Sequence, residues 1–305
     1  MTGGAGFIGS HIVERLIEVG HEVSVIDNLR TGKLSNLDLK NVSFYNCDVV
    51  NKVAVFNTIN NIKPDFIIHQ AAQVSVAESI KDMVNDQEIN IAGSLNIIEA
   101  AKSANVKKIV FASSAAVYGN PKFLPISCEH PINPTSPYGV SKYTVEQYLK
   151  VSKKLYGLDY TILRYSNVYG PRQDSKGEGG VVAIFSDKLA NQESPFIFGD
   201  GMQTRDFIFV EDVAKANVAA LTAPSGVYNV SSGHNVTVNH LYEMIVTSLG
   251  KTVEPIYKEE REGDIRHSVL DNTITQKKLN WKPQYLLEDG LNLTLRFYME
   301  NLANI

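Results

Sequence analysis

Two side chains four residues apart in this sequence could move a proton. Tyr138 and Lys142 stand at i and i+4, which on a helix places a phenol and an ammonium on one face. Positive charge at that distance favours the phenolate. Ser114, 24 residues upstream, closes the strand-like run 109–113 and offers a hydroxyl to position the transfer. A free tyrosine titrates near 10, so poising it near neutrality takes roughly 3 units, or about 4 kcal/mol. One cation about 6 Å away at an effective dielectric of about 20 contributes near 3 kcal/mol. A second positive group alongside is needed for the rest. The other Tyr-x-x-x-Lys copy, Tyr118 to Lys122, carries Gly119 and Pro121 and is not expected to form the helix that brings its two side chains together.

A positive group of that kind fits a second motif. Thr2-Gly-Gly-Ala-Gly-Phe-Ile-Gly9 sets glycines at 3, 6 and 9 directly before an amphipathic run. A pyrophosphate needs such close backbone approach and a helix N-terminus. Asp27 follows Gly9 by 18 residues at the end of the next strand-like run, where a carboxylate can accept hydrogen bonds from an adenosine ribose. That acid would repel a 2′-phosphate, so NAD is expected rather than NADP. Only Met1 and Thr2 precede Gly3, whereas a dinucleotide fold normally carries a full strand there. The central strand is therefore expected to be short by roughly five residues, and NAD to bind less tightly than it would with that strand restored.

The elements that must position these groups follow from periodicity. Strands are expected over 22–27, 42–46, 65–70, 107–113 and 159–165, and helices over 8–19, 52–61, 86–104 and 136–156. This alternation reads as an α/β chain with a doubly wound parallel sheet. Several strands are apolar at nearly every position, as a sheet covered on both faces requires. After Tyr165 the pattern turns irregular, with a glycine-rich loop over 170–180 and short strands near 196–198 and 207–210. The division expected is 1–166 for a dinucleotide-binding domain and 167–305 for a smaller mixed α/β, mainly substrate-binding domain. Segments near 206–232 are expected to return to the main sheet.

Composition narrows the class. Of 305 residues, 29 are Lys or Arg and 33 Asp or Glu, a net charge of −4, which argues against nucleic acid or a membrane surface as partner. No stretch approaches a membrane span and no secretory pattern opens the chain, so a soluble cytoplasmic protein is expected. The two cysteines, Cys47 and Cys128, have no CxxC partner, and the seven histidines show no metal spacing, so neither a disulfide scaffold nor a metal is expected.

Taken in order, these and further motifs resemble the extended short-chain dehydrogenase/reductase family, most closely its UDP-galactose (UDP-glucose) 4-epimerase branch. The pieces are the glycine loop, Asp27-Asn28-Leu29, Cys47-Asp48-Val49, His69 to Ser75, Ser113 to Gly119, Tyr138-x-x-x-Lys142, Arg164 to Arg172, Gly201 to Asp206 and Arg261-Glu-Gly-Asp264. The resemblance implies a Rossmann sheet and NAD held by Gly3, Gly6, Phe7, Ile8, Gly9, Asp27, Asn28, Asp48, Val49, Ala71, Ala72, Asn90, Lys142 and Tyr165. It implies a UDP-sugar at Ser114, Tyr138, Asn167, Ile197, Phe198, Arg205, Arg261, Asp264 and Ser268. The two arginines would clamp the pyrophosphate, since a guanidinium grips phosphate oxygens in pairs. It further implies a homodimer built on helices 86–104 and 136–156.

Within such a family, dehydratases carry acidic side chains just after the residue matching Ser114, and here those positions are Ala115 and Ala116. The chemistry left is oxidation of the sugar at carbon 4 and its re-reduction on the other face, with Tyr138 taking and returning the 4-hydroxyl proton. Where enzymes of the family confined to glucose and galactose often place a bulky aromatic, this chain has Ser268. UDP-N-acetylglucosamine, or dual use, is the alternative substrate. A one-way nucleotide-sugar reductase or a non-catalytic dinucleotide sensor on the same scaffold are more distant readings.

Overall fold

The computed structural model describes residues 1–175, 180–250, 253–260 and 265–303. Five strands from the first 165 residues, β1 (Val23–Asp27), β2 (Val42–Asn46), β3 (Phe66–His69), β4 (Lys108–Ser114) and β5 (Asp159–Tyr165), all pair in parallel. The helices among them are α1 (Phe7–Glu18), α2 (Lys52–Ile62), α3 (Val76–Lys81), α4 (Met83–Gln87), α5 (Gly93–Ser103) and α6 (Pro137–Tyr156). β2 and β5 have their expected bounds, and β1, β3 and β4 start or stop within one residue of theirs. The 86–104 stretch is less regular than its periodicity suggests. There α4 and α5 are joined by a π-helical turn, Glu88–Ala92, and π turns concentrate at functional sites.

The second half contributes β6 (Asn167–Tyr169), α7 (Val181–Ala190), β7 (Phe196–Phe198), β8 (Thr204–Arg205), β9 (Phe207–Phe209), α8 (Val210–Ala220), β10 (Gly226–Val230), β11 (Val236–Thr237), α9 (Val238–Leu249), β12 (Ile256–Lys258), α10 (Thr273–Leu279) and α11 (Leu287–Ala303). Of these, β10 joins the main sheet beside β5, again in parallel, and α8 packs against α1. The other strands form three two-stranded pairs, β6 with β9, β7 with β12 and β8 with β11, beside a core that includes Phe185, Leu189, Leu241, Ile245 and Leu291.

Between β1 and β3 lies the segment before the glycine loop. Thr2 bridges Ile26 on one side and His69 on the other, both in parallel. The Thr2 amide donates to the Ile68 carbonyl at 3.0 Å and the Gly3 amide to that of Ile26 at 2.8 Å. The order across the sheet is thus β2, β1, the Thr2 segment, β3, β4, β5, β10. The two faces are covered separately: Ile12, Val13 and Leu16 of α1 with Val213 and Ala216 of α8 on one, and Val55, Ile97, Val145 and Leu149 of α2, α5 and α6 on the other. Strands covered on both faces expose little side chain, so function is left to the carboxyl ends of the strands and the loops that follow them.

One buried group ties the sheet centre to α5. The His69 imidazole, 3% exposed, lies 2.7 Å from the Thr2 hydroxyl and 2.9 Å from that of Ser94. Burial is the main force lowering its pKa from 6.5 to about 3, with Lys142 and the amino terminus adding to it. The folded chain therefore keeps His69 neutral while the unfolded chain protonates it as pH falls below about 6.5. Stability is expected to be full above that pH and to fall progressively towards about 3, by on the order of 5 kcal/mol. Urea unfolding across this window checks it: His69→Gln, which cannot titrate, should start from lower stability at neutral pH and show a flatter acid decline.

Candidate functional site

The proton-transfer group is assembled by β4, β5 and α6. Helix α6 starts cleanly because the Ser136 side chain accepts from the Gly139 amide at 3.1 Å and Pro137 occupies the first turn. It ends at Gly157, whose φ of +74° suits the left-handed cap. Tyr138 thus sits in the first turn with Lys142 one turn on. The Ser114 side chain, at the end of β4, lies near enough to the Tyr138 phenol to favour its ionisation, and Ser114 pairs in register with Tyr165 at the end of β5. The Lys142 Nζ is 5.7 Å from the Tyr138 ring centre and donates to the Ala112 carbonyl oxygen at 3.0 Å. The other tyrosine–lysine copy is different: Tyr118 is fully buried and donates to Asn229 Oδ1 at 2.6 Å.

The electrostatics of the pair differ from the simple expectation. Burial pushes the Tyr138 phenol up to about 12, the Ser114 side chain works against that rise and the Asp86 carboxylate adds to it. Burial also lowers Lys142 to about 8, with Asp86 opposing that fall. The neighbouring ammonium therefore does not by itself bring the phenol near neutrality, because desolvation penalises phenolate and ammonium alike. Further positive charge beside the ring is required, which is where a nicotinamide would contribute.

Residue types at the amino end of α1 fit a dinucleotide. Gly3 has φ +68°, and a Cβ there would stand 2.6 Å from the Ala71 amide nitrogen; a Cβ on Gly9 would stand 1.9 Å from the Gly3 carbonyl oxygen. These two positions let loop, strand and helix close up. A Cβ on Gly6, by contrast, would meet only the Gly3 oxygen at 3.4 Å. Gly6 caps α1 without any side-chain hydrogen bond, and the first turn holds no acid. Open backbone at the positive end of a 12-residue helix is what an anionic pyrophosphate needs.

The remaining cofactor candidates fall around this loop. Asp27, 8% exposed, accepts from the Ala5 amide at 3.0 Å and the Leu29 amide at 2.8 Å, so it shapes the loop whether or not it also meets a ribose. Asn28 donates to Asp48 Oδ2 at 2.8 Å, and Val49 packs against Gly93. Ile8 is half-buried between two cores and Phe7 stands edge-on to His11. Ala71 and Ala72 are half-buried beyond β3. The Tyr165 hydroxyl is bound by Gln70 at 2.9 Å and Asn217 at 2.8 Å, and burial holds its pKa high. Asn90, in the π turn, grips Gln73: its Oδ1 accepts from the Gln73 amide and its Nδ2 donates to the Gln73 carbonyl, each at 2.9 Å.

On the substrate side, Asn167 is exposed and its side-chain amide donates to the Asp206 carbonyl at 3.2 Å. Arg205, half-buried, donates to the Thr204 carbonyl at 3.0 Å, and the Ser268 amide donates to that same oxygen at 3.2 Å, which brings these two positions together. The Ile197 side chain is 1% exposed and packed in the core, so only its backbone can face a ligand; Phe198 is half-buried. Arg261 and Asp264 lie outside the described residues.

Sequence reasoning passed over two buried acids. Asp206, fully buried, accepts from the Ser232 hydroxyl at 2.8 Å and the amides of Ser232, Gly233 and Leu270, pinning these segments beside Arg205. Asp86, 1% exposed, accepts from Gln73 at 3.0 Å and Asn90 at 2.9 Å. Asp206 closes the Gly201 to Asp206 motif, which is its signal, whereas Asp86 stands among mostly exposed neighbours and its burial shows only in the folded chain.

Comparisons with known proteins show the family and the fold. Residues 1–231 match the NAD dependent epimerase/dehydratase family. A UDP-glucose 4-epimerase of Mycolicibacterium smegmatis is 41% identical over 98% of this chain and 97% of its own. The structure of a Thermotoga maritima UDP-glucose 4-epimerase with UDP-glucose superposes with a TM-score of 0.96 at 43% identity, covering 99% of this chain and 98% of that one. A Methanobrevibacter ruminantium UDP-N-acetylglucosamine 4-epimerase in complex with UDP-N-acetylmuramic acid gives 0.94 at 38% identity, covering 98% and 97%. The phenol, ammonium and serine at the end of a parallel sheet, beside a glycine loop open to a pyrophosphate, belong to a member of the NAD-dependent epimerase/dehydratase family.

Proposed function

We propose that this chain is a UDP-glucose 4-epimerase that interconverts UDP-glucose and UDP-galactose. The observation that carries the reading is the Lys142 ammonium held on the Ala112 carbonyl 5.7 Å from the Tyr138 ring, with Ser114 at the end of the same strand. Bound NAD supplies the reversible hydride acceptor that inversion at carbon 4 needs. Tyr138 takes the 4-hydroxyl proton and returns it once the sugar has turned over. Ser114 holds the phenol's hydrogen-bond direction while the proton moves. Lys142, anchored on the Ala112 carbonyl, offsets charge on the phenol in a site where water is largely excluded. Ala115 and Ala116 offer no acid or base for dehydration. By this reading Arg205, Arg261, Asp264 and Asn167 grip the UDP, and 1–166 serves the cofactor while 167–305 mainly serves the substrate.

UDP-N-acetylglucosamine is the second reading, favoured by Ser268. Its small side chain is 9% exposed, and its amide shares the Thr204 carbonyl with Arg205. A serine there leaves room that an aromatic ring would fill. The assembly proposed is a homodimer. Val140, Tyr148, Val151 and Leu155 form an exposed stripe on α6, and Val76, Ile80 and Val84 extend it on α3 and α4. Apolar side chains so grouped mark an interaction surface. Among the described residues no helix is long and apolar enough to cross a membrane, and a cytoplasmic location is the reading proposed.

Incubation with each UDP-hexose without added NAD, followed by separation of the stereoisomers, tests the reaction. Interconversion of the glucose and galactose forms is expected, and Tyr138→Phe should lower it by about 10³-fold or more with NAD still bound; full activity in that variant would place the base elsewhere. Ser268→Tyr should depress turnover of the acetylated sugar selectively, and equal loss on both sugars would remove the selectivity argument. In sedimentation, Val151→Glu combined with Leu155→Glu should convert a dimer to a folded monomer.

A further inference from the structure

The reading of Tyr138 as the proton carrier leaves one buried charge unexplained. Asp86 is 1% exposed, and no Lys, Arg or His among the described residues comes within ion-pair distance of its carboxylate. Its two neutral donors lead straight to the site. Asn90 donates to it at 2.9 Å and also to the Ser141 hydroxyl at 3.3 Å; that hydroxyl in turn donates to the Tyr138 carbonyl at 2.9 Å. Gln73 donates to it at 3.0 Å from the loop that follows β3. Buried carboxylates are normally paired, and one held by amides alone acts at longer range on whatever charge lies near.

We propose that Asp86 is a positioning residue that sets the working pH of the Tyr138–Lys142 pair, holding the ammonium charged and the phenol protonated until positive charge arrives beside it. Its part in turnover rests on the epimerase reading; its effect on the phenol does not. The groups facing the pair from each packed element support this. From β3 comes the His69 imidazole, and the Met1 amine acts on His69. β4 contributes the Ala112 carbonyl and the Ser114 hydroxyl, β5 the Tyr165 phenol, and α3 the Ser79 hydroxyl, which accepts from the Tyr138 amide at 3.2 Å. Glu78 on α3 pairs with Lys81 at the surface. One turn further along α6, Glu146 is taken up by Arg164 at 2.6 Å and by Ser113. Asp86 is thus the buried carboxylate joined through Asn90 and the Ser141 hydroxyl to the turn of α6 that carries both members of the pair, where its charge stabilises Lys142 as a cation and opposes phenolate at Tyr138.

Removing the negative charge lowers the pKa of Lys142, because its cation loses support, and lowers that of Tyr138, because its anion loses an opponent. Both limbs of a pH profile set by these groups then move towards acid. Asp86→Asn keeps the shape and an oxygen that can accept from both Gln73 and Asn90. Asp86→Ser makes the same comparison with a smaller neutral side chain should the amide not be accommodated. Gln73→Leu removes one hydrogen bond and keeps the charge.

Two readouts test this. Ultraviolet tyrosinate titration of the ligand-free protein, corrected with the same variant carrying Tyr138→Phe, needs neither substrate nor turnover, so its outcome stands whether or not the epimerase reading does. The Tyr138 midpoint is expected to fall by roughly one pH unit in Asp86→Asn or Asp86→Ser and to hold still in Gln73→Leu. In turnover, the whole profile of kcat/KM should slide to lower pH in the neutral variants, whereas Gln73→Leu should lower kcat without sliding it. A Tyr138 midpoint unchanged in folded Asp86→Asn and Asp86→Ser, or moved equally by Gln73→Leu, overturns the proposal.

Discussion

An ammonium in a protein interior must find compensating dipoles or charge, and Lys142 does so within a tight set of constraints. Its nitrogen reaches the Ala112 carbonyl at 3.0 Å and lies 5.1 Å from the centre of the Phe111 ring and 5.7 Å from that of Tyr138. That carbonyl is fixed because β4 is held on both sides, by β3 and by β5. The position of the cation is thus set by the central sheet rather than by its own flexible stem, and the phenol one turn back on α6 inherits the same fixity. Preorganisation of this kind spares the site from reorganising as charge moves.

A consequence is that the layer between sheet and helices cannot be wholly apolar. Arg164 and Glu146 form a two-toothed ion pair with both partners almost wholly buried, and Ser113 adds a third bond to the same carboxylate. Removing one partner of such a pair typically costs about 3–5 kcal/mol, since the other charge is left stranded. His69, Thr2 and Ser94 make a second polar line, and Gln70, Tyr165 and Asn217 a third. The last two cross between strand ends and a covering helix just where ligand-facing loops begin. Satisfied networks of this sort define a unique arrangement more sharply than interchangeable aliphatic packing does.

The irregular half of the chain is organised on a similar plan around Asp206. Its carboxylate gathers the amides of the 232–233 turn and of Leu270, while its neighbours Arg205 and Phe207 meet opposite environments, the first half-buried and the second in the core. A single buried acid thereby relates the strand pairs to the serine at 268 without any continuous sheet between them.

Much of this was legible in residue order alone. Runs apolar at nearly every position require strands covered on both faces, glycines at 3 and 9 let the backbone close against α1 while Gly6 leaves it open, and a tyrosine four residues before a lysine behind a serine–proline cap requires both on one helical face. These are local rules, each acting over a few residues. Four matters needed the tertiary structure: that burial outweighs the neighbouring cation at Tyr138, that the 86–104 helix carries a π turn so that Asn90 grips Gln73, that Ile197 turns inward, and that Asp86 and Asp206 are buried hubs. Desolvation and long-range pairing depend on which distant segments exclude water from a group, and no spacing along a single chain encodes that.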